Sequence, residues 1–257
     1  MTSATLRHTL ERSIVIRAQR EVVFRFFTDS ARWAAWWGAG STIDPQPGGR
    51  VFIRYPGGIE VSGEIVEIDE PERIVFTYGF VAGSPIPPGS SLVTIALERE
   101  RAGTRVRLSH AFAEAQVRDE HVQGWRYQLS LFANAVADDA AASVPEIVDR
   151  WFAAWSEPDA AKRNAVLEDT VAADVSMRDR FSAIEGLPDL AAHLAAVHRF
   201  MPGMTLTRDG DVRQCQGTVL AAWTATGPDG KERGRGMNVF SLRPDGLIES
   251  VVGFWQN

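Results

Sequence analysis

The sequence predicts an α+β protein made of two consecutive domains, each of which packs helices against an antiparallel sheet. In residues 1–140, alternating apolar segments typical of strands lie between a short helical segment and one long amphipathic helix. In residues 141–257, three helical segments come first and four alternating segments follow them. Because each half completes its own pattern, we expect two independent cores with a boundary at residue 140.

The composition favours a soluble globular protein without a nucleic-acid or membrane partner. The 257 residues carry a net charge of -6, with 45% hydrophobic and 23% charged residues. A chain with a net negative charge lacks the basic surface that neutralises phosphates, so we expect no nucleic-acid binding. The N-terminus has no apolar signal segment, and no stretch approaches the roughly 18 apolar residues of a membrane span. These features predict a cytoplasmic protein.

Cysteine and histidine usage predicts neither a metal nor a cofactor. Cys215 is the only cysteine, so an intramolecular disulfide is not possible and no redox motif exists. The five histidines lie at no metal-ligand spacing. His193 and His198 are five positions apart, which places them on different faces of a helix.

The first half reads as a sheet wrapped round a helix. An alternating strand at residues 10–16 precedes two short helical segments at 22–27 and 29–38. Apolar residues at helical spacing between 122 and 136 predict a long helix with one buried face. A curved antiparallel sheet round this helix leaves a cavity between them. The intervening strands are predicted at residues 50–55, 59–68, 73–80, 92–98 and 104–110.

A set of motifs in this half suggests a known family. The motifs are Asp29, Trp36-Trp37-Gly38, Pro47-Gly48-Gly49, Gly63-Glu64-Ile65-Val66-Glu67, Gly103-Thr104 and Gly124-Trp125. In this order and spacing, residues 10–138 resemble the heat-shock protein 90 ATPase activator homologue-like family of the START-like, helix-grip superfamily. The resemblance implies a helix-grip fold with a hydrophobic cavity. It does not imply chaperone activation, since no separate chaperone-docking module is recognisable.

Four side chains are candidates for ligand contacts in the first cavity. Trp36, Trp37 and Trp125 either form its walls or fill the core, as buried aromatic residues mostly do. His110 ends a strand that faces the predicted helix, so it is either a polar group in the cavity or a satisfied core histidine. Residues 81–89, which are rich in Pro and Gly, form either a lid or a stiff loop.

The second half predicts an α+β cone, in which three helices pack on a bent, mainly antiparallel, four-stranded sheet. After a small polar junction at residues 137–143, Ile147, Trp151 and Trp155 recur at helical spacing and give the first helix an aromatic face. Two further helices are predicted at residues 158–168 and 187–200, and the four strands at 204–213, 217–226, 233–242 and 247–256.

Short motifs in this half suggest a second superfamily. They are Trp155 with Asp159, Asp174-Val175, Asp179, Gly186, Asp245-Gly246-Leu247-Ile248 and Gly253-Phe254-Trp255. With them, residues 144–257 resemble the SnoaL-like, nuclear transport factor 2-like superfamily. Its members include polyketide cyclases, ketosteroid isomerases, dehydratases and pockets of no known chemistry.

The resemblance implies three catalytic candidates. Asp179 stands where ketosteroid isomerases have the aspartate that shuttles a proton. Asn238 stands where they have a protonated aspartate that donates to the substrate oxygen, and an amide can donate there too. Trp151 replaces their tyrosine, which disfavours steroid-type isomerisation because indole lacks the acidity of a phenol. We expect burial in the cone to raise the pKa of Asp179; alternatively, Asp179 pairs with Arg178, Arg180 or a helix N-terminus at the rim.

These observations predict a protein that binds small hydrophobic molecules in two cavities. The alternative is a cofactor-independent enzyme, similar to polyketide cyclases or ketosteroid isomerases, with Asp179 as proton shuttle. Whether the chain is an enzyme is left open, and a homodimer through the C-terminal sheet is a further expectation. The remaining ligand-contact candidates are Trp155, His193, Met204, Trp223 and Phe254. Met204, Trp223 and Phe254 either line the pocket or belong to the core, and His193 faces either the cone or the solvent.

Overall fold

The computed structural model describes residues 5–140 and 143–256. The chain divides into two compact units, Met1–Asp138 (unit 1) and Asp139–Asn257 (unit 2). Within the predicted junction at residues 137–143, Ala141 and Ala142 lie outside the described residues. The domain limits at residues 140 and 141 therefore stay a prediction.

Unit 1 is a seven-stranded antiparallel sheet packed against one long helix. Its helices are α1 (Arg20–Phe24), α2 (Ser30–Trp37) and α3 (Ala115–Ala140), with a 3-10 turn at Arg25–Phe27 after α1. Its strands are β1 (His8–Ile16), β2 (Thr42–Ile43), β3 (Arg50–Arg54), β4 (Glu60–Asp69), β5 (Arg73–Tyr78), β6 (Ser91–Glu100) and β7 (Gly103–Phe112). The strand order is β1-β7-β6-β5-β4-β3-β2.

Local chemistry explains how the helices of unit 1 attach to its sheet. The carboxylate of Asp29 caps α2 by accepting a hydrogen bond from the backbone N–H of Arg32 at 2.8 Å. Trp33 then ties α2 to β3 by donating its indole N–H to the carbonyl of Phe52 at 3.2 Å. On the other side, Gln128 of α3 donates to the carbonyl of Trp36. The aromatic face of α2 is therefore fixed between the sheet and the long helix.

Unit 2 packs three helices against a six-stranded mixed sheet. The helices are α4 (Val144–Ser156), α5 (Ala160–Glu168) and α6 (Leu187–Phe200). The strands are β8 (Val171–Arg178), β9 (Ala183–Glu185), β10 (Thr205–Cys215), β11 (Thr218–Thr226), β12 (Glu232–Leu242) and β13 (Ile248–Gln256). In the order β10-β11-β12-β13-β8-β9, only β13 and β8 are parallel among the pairs of described strands.

The predicted fold class is confirmed, with differences in detail, one of which is the additional short strand β2 in unit 1. The sheet of unit 2 has six strands rather than four, because β8 and β9 extend it beyond β13. Helix α5 begins at Ala160 rather than at residue 158, because Asp159 caps it by accepting from the backbone N–H groups of Ala161 and Lys162. In the described parts of the chain, no helix is long and apolar enough to cross a membrane.

Candidate functional site

Asp179 lies in the turn after β8, and both oxygens of its carboxylate accept hydrogen bonds. Oδ1 accepts from the backbone N–H of Phe181 and of Ser182, both at 2.8 Å, and from the hydroxyl of Ser182 at 2.7 Å. Oδ2 accepts from the indole Nε1–H of Trp255 at 3.2 Å. The donors are therefore groups of the turn and the ring of Trp255, and among the described residues neither Arg178 nor Arg180 pairs with this carboxylate.

These hydrogen bonds outweigh the effect of burial on the pKa of Asp179. Burial raises the pKa of Asp179, but the bonds from the Ser182 hydroxyl, the Phe181 amide, Trp255 and the Ser182 amide together lower it below the ordinary value of 3.8. The expectation of a raised pKa was wrong, because four donors rather than an apolar wall surround this half-buried carboxylate. Asp179 is therefore ionised at neutral pH.

Asn238 is buried on β12 and has its carbonyl oxygen engaged. Trp223 of β11 donates its Nε1–H to Oδ1 of Asn238 at 3.0 Å. The amide NH₂ of Asn238 is thereby left as the group that can donate to a ligand. The rings of Trp223 and Trp255 meet edge to face with centroids 4.8 Å apart, so the partner of Asn238 packs on the partner of Asp179.

Asp179 and Asn238 flank the same glycine. Gly253 of β13 pairs with Asn238 across the sheet. A Cβ atom on Gly253 would lie 3.0 Å from Cβ of Asp179, 3.3 Å from Oδ1 of Asn238 and 3.9 Å from Oδ2 of Asp179. The structure thus brings two of the three catalytic candidates together over a position with no side chain.

The third candidate, Trp151, is fully buried between α4 and the sheet. Its ring packs edge to face on Trp155 at 5.8 Å and on Phe240 at 5.9 Å. Phe240 and Asn238 are two positions apart on β12, so they project from the same face of the sheet. Within residues 143–256, no acceptor reaches the buried Nε1–H of Trp151, and the same holds for Trp155.

The other ligand-contact candidates of unit 2 divide between the interior and the surface. His193 is half-buried and packs on Trp155 with ring centroids 5.7 Å apart, and Met204 is half-buried against the core. Phe254 is a correction: it is 58% exposed, because it alternates with Gly253 and Trp255 along β13 and points to the opposite face.

The tryptophan candidates of unit 1 are all buried and lie next to one another. The ring centroids of Trp36 and Trp37 are 4.2 Å apart, and those of Trp37 and Trp125 are 5.6 Å apart. Among residues 5–140, no acceptor reaches the buried Nε1–H of Trp36 or of Trp37. Trp125, in contrast, donates its Nε1–H to Nδ1 of His110 at 2.9 Å.

His110 is fully buried, and protein groups engage both of its ring nitrogens. Because indole only donates, Nδ1 of His110 accepts from Trp125 and Nε2 carries the hydrogen. Nε2–H donates to the hydroxyl of Ser91 at 2.8 Å, and that hydroxyl donates to the carbonyl of Tyr78, also at 2.8 Å. Burial lowers the pKa of His110 well below its ordinary value, so the ring is neutral.

Sequence reasoning missed a second polar group beside His110. His121 of α3 lies 5.5 Å from His110 between ring centroids, and the hydroxyls of Tyr55 and Tyr78 bond to each other at 3.1 Å. The sequence signal was weak, because His121 stands one position before the apolar stripe of α3. The chain contains only three tyrosines, and two of them meet here.

Metal binding receives no geometric support. In the portion of the chain that the structure describes, no group of three or more His, Cys, Asp or Glu side chains is placed to hold a metal ion.

Comparison with known proteins places each unit in a family. Residues 17–137 match the model of the Activator of Hsp90 ATPase homolog 1-like proteins, and residues 148–251 match the model of the SnoaL-like domain. A search of curated proteins gave no match.

Similar solved structures come from several bacteria. A SnoaL-like family protein of Agrobacterium tumefaciens str. C58 is 28% identical, with 44% of this chain and 96% of that one covered and a TM-score of 0.42. Protein MLL2253 of Mesorhizobium loti is 18% identical, with coverages of 51% and 98% and a TM-score of 0.46. Protein Ms6760 of Mycobacterium smegmatis is 23% identical, with coverages of 54% and 98% and a TM-score of 0.44.

The two family matches follow one another along the chain and agree with the architecture of the two units. The protein is a tandem of an Activator of Hsp90 ATPase homolog 1-like domain and a SnoaL-like domain.

Proposed function

We propose that this protein binds small hydrophobic molecules that carry a polar oxygen, with one pocket in each unit. The observation that supports the proposal is the set of buried indole N–H groups without an acceptor in the described chain. Trp36 and Trp37 supply two of them in unit 1, and Trp151 and Trp155 supply two in unit 2.

The energetic reason is that buried donors are costly when they are left unpaired. Each buried N–H without an acceptor costs about 1–3 kcal/mol. A bound molecule whose oxygen accepts from the indole would recover that energy, while its apolar body replaces water against the surrounding rings. A hydrophobic carbonyl compound satisfies both conditions.

The proposal can be tested with a ketone and its matching hydrocarbon. Isothermal titration calorimetry of the full chain should show tighter binding of 1-tetralone than of tetralin. The Trp151→Phe variant removes one donor and should weaken 1-tetralone binding in unit 2 about fivefold while leaving tetralin binding nearly unchanged. In unit 1, Trp37→Phe should act likewise. Trp33→Phe is the matched control, because the N–H of Trp33 already bonds to Phe52.

Two results would count against ligand binding. One is the absence of any heat of binding for either compound. The other is equal affinity of both compounds in every variant, which would show that the indole N–H groups face no ligand. Native mass spectra of the gently purified full chain add an independent measurement, because a retained small molecule would identify a ligand directly.

A cofactor-independent isomerase or cyclase acting in unit 2 is the second candidate. It is favoured by the meeting of Asp179 and Asn238 over Gly253. The Asp179 carboxylate would take a proton from the carbon next to a carbonyl, and the Asn238 amide would donate to the enolate oxygen. Trp151, which lies on the same side of the sheet, would contribute its free N–H. Binding ranks first because a carboxylate of lowered pKa is a weak base at neutral pH.

Deuterium exchange tests the second candidate. The full chain in D₂O should speed exchange at the carbon next to the carbonyl of 1-tetralone. Asp179→Asn should return the rate to that of buffer, whereas Asp169→Asn, at the end of α5, should not. Equal exchange with and without the protein would remove the enzymatic candidate and leave ligand binding untouched.

A homodimer through the sheet of unit 2 is also proposed. A hollow of about 260 Å³ lies on this part of the sheet, at strands β8, β9 and β13. Its lining includes the polar residues Ser176, Arg178, Glu185 and Ser250. Light scattering during size-exclusion chromatography measures the molar mass. A monomer at micromolar concentration would contradict the dimer.

A further inference from the structure

His121 of unit 1 offers a buried hydrogen-bond acceptor that the protein leaves unused. Its Nδ1 bonds to the carbonyl of Val117 at 2.7 Å, and a carbonyl only accepts, so Nδ1 carries the hydrogen. Nε2 then keeps its lone pair. Nε2 is buried, and no donor of the described chain reaches it.

Aromatic rings surround this acceptor. The centroid of the His121 ring lies 4.8 Å from Phe112, 5.5 Å from His110, 6.0 Å from Tyr78 and 6.0 Å from Phe80. Burial lowers the pKa of His121, so the ring is neutral at physiological pH. The side chain therefore acts as an acceptor and not as a cation.

The tyrosine pair beside His121 offers the complementary group, a hydrogen-bond donor. The hydroxyls of Tyr55 and Tyr78 lie 3.1 Å apart, so one donates to the other. Two hydroxyls hold two hydrogens, and this bond uses one of them. The second hydrogen has no acceptor within the described parts of unit 1. Burial raises the pKa of Tyr55 to about 12 and raises the pKa of Tyr78 well above its ordinary value, so neither hydroxyl ionises.

One free donor and one free acceptor in a neutral aromatic setting restrict the chemistry of a ligand. A ketone can accept a hydrogen bond from the tyrosines but has no hydrogen to donate to His121. A carboxylate would be buried without a counter-charge, and the charge that acts on His121 is that of Glu120, which is also negative. A hydroxyl group both accepts and donates, so it satisfies both partners.

A surface hollow adjoins one of these rings, that of Phe80. It has a volume of about 550 Å³ and is lined by Phe80 together with Ile59, Val81 and Pro85 among others. Ile59 and Val81 are exposed apolar side chains. Phe80 also packs against Tyr78, with ring centroids 5.8 Å apart, so it forms a wall common to the hollow and the polar cluster.

We propose that unit 1 binds an uncharged hydroxyl compound, either a phenol or an alcohol with a flat apolar body. Its hydroxyl hydrogen is donated to Nε2 of His121, and its oxygen accepts the free hydrogen of the Tyr55–Tyr78 pair. This inference rests on the proposed function of unit 1 as a ligand-binding domain, and it narrows the ligand to one class.

The test compares 2-naphthol, naphthalene and 2-naphthoate on the full chain by isothermal titration calorimetry. We expect 2-naphthol to bind about tenfold or more tightly than naphthalene, and 2-naphthoate to bind more weakly than 2-naphthol. His121→Phe and Tyr55→Phe should each reduce the preference for the hydroxyl while naphthalene binding persists. Tyr127→Phe is the matched control, because Tyr127 is 66% exposed and lies outside the pair.

A measurement on the unmodified protein avoids reliance on the variants. In long-range ¹H–¹⁵N spectra, the Nε2 resonance of His121 should shift on addition of 2-naphthol and stay in place on addition of naphthalene. A preference for the hydroxyl that survives both folded variants, or an unmoved Nε2 resonance, would overturn the site.

The remaining outcomes separate this inference from the proposed function. Equal affinity for 2-naphthol and naphthalene would overturn the hydroxyl class and keep hydrophobic binding. Failure of all three compounds to bind, together with failure of 1-tetralone, would overturn both.

Discussion

The indole of Trp255 donates to Oδ2 of Asp179 at 3.2 Å, which joins the last strand of unit 2 to the turn after β8. With Oδ1 held by Phe181 and Ser182, neither carboxylate oxygen is free of a protein donor. A carboxylate held in this way keeps its charge and its orientation. It is better suited to orient a polar ligand than to exchange a proton at neutral pH.

Replacing Ser182 with alanine should raise the pKa of Asp179 and destabilise unit 2. The Ser182 hydroxyl makes the largest of the hydrogen-bond contributions that lower this pKa. We expect a loss of about 1 kcal/mol in the free energy of unfolding at pH 7, because the carboxylate is half-exposed and partly screened. Urea denaturation measures it, and carboxyl NMR titration follows the pKa.

The effect of Ser182→Ala should depend on pH in a defined direction. The pKa of folded Asp179 is lower than its unfolded value, so its stabilisation is present above about pH 3.8 and disappears as the pH falls through the folded value. The difference between variant and wild type should shrink accordingly in acid. Ser176→Ala is the control, and a loss as large as that of Ser182→Ala would contradict the assignment.

Replacing Gly253 with alanine should push Asp179 and Asn238 apart. The added Cβ would lie 3.0 Å from Cβ of Asp179 and 3.3 Å from Oδ1 of Asn238, which is too close without movement. We expect a loss of about 1–2 kcal/mol in stability and about a tenfold loss in the affinity of unit 2 for 1-tetralone. Urea denaturation and calorimetry measure the two effects. Unchanged ligand affinity would place the pocket away from Gly253.

Replacing Gly124 with alanine should stabilise unit 1. Gly124 is exposed in the middle of α3, and a Cβ atom there would meet nothing within 4 Å. Glycine costs roughly 0.5–1 kcal/mol relative to alanine in a helix, so the free energy of unfolding should rise by about this amount. Thermal and urea unfolding measure it. A loss of stability would mean that α3 needs flexibility at this position.

Replacing Ser91 with alanine should destabilise unit 1 more than its small volume suggests. The change leaves Nε2–H of the fully buried His110 without an acceptor, which costs about 1–3 kcal/mol. The control is Ser130→Ala, which removes a hydroxyl bonded to the carbonyl of Arg126 on the exposed side of α3 and should change stability by at most about 0.5 kcal/mol. Equal effects in urea denaturation would contradict the role of Ser91.

The stability of unit 1 should fall as the pH drops below the ordinary histidine value of 6.5. Burial lowers the pKa values of folded His110 and His121. In this pH range the two histidines therefore bind protons in the unfolded chain but stay neutral in the folded chain. The loss is at most about 1.4 kcal/mol per pH unit for each group. Urea midpoints between about pH 7 and pH 5 measure the slope, which His121→Phe should reduce. A flat profile would show that these rings titrate normally.

Much of the fold could be predicted because half-buried antiparallel strands alternate. The strands β3 to β7 lie within about two residues of their predicted positions. Strand β8 was not predicted, because it begins with two consecutive buried residues, Val171 and Ala172, and pairs in parallel with β13. Its register sets Arg178 beside Val252, and this long-range pairing, which spacing along the chain does not encode, places Asp179 next to Gly253.

The candidate site was only partly predictable for a related reason. The resemblance implied Asp179, Asn238 and Trp151, but the protonation of Asp179 depends on the turn that follows it, where Phe181 and Ser182 present their amides. In unit 1, the apolar stripe of α3 includes Trp125 and therefore predicted its burial. His121 precedes the stripe by one position, so the pattern did not predict that it faces the interior. Its unused nitrogen becomes apparent only when Tyr78, Phe80 and Phe112 surround it.

The hydrogen bonds from Trp125 through His110 and Ser91 to the carbonyl of Tyr78 begin at a group that only donates and end at one that only accepts. Their polarity therefore cannot reverse, and an excess proton has no path along them. His110 therefore has a structural role, since it connects α3 to β7, β6 and β5 through hydrogen bonds of fixed direction. Proton transfer in unit 1 would have to use other groups.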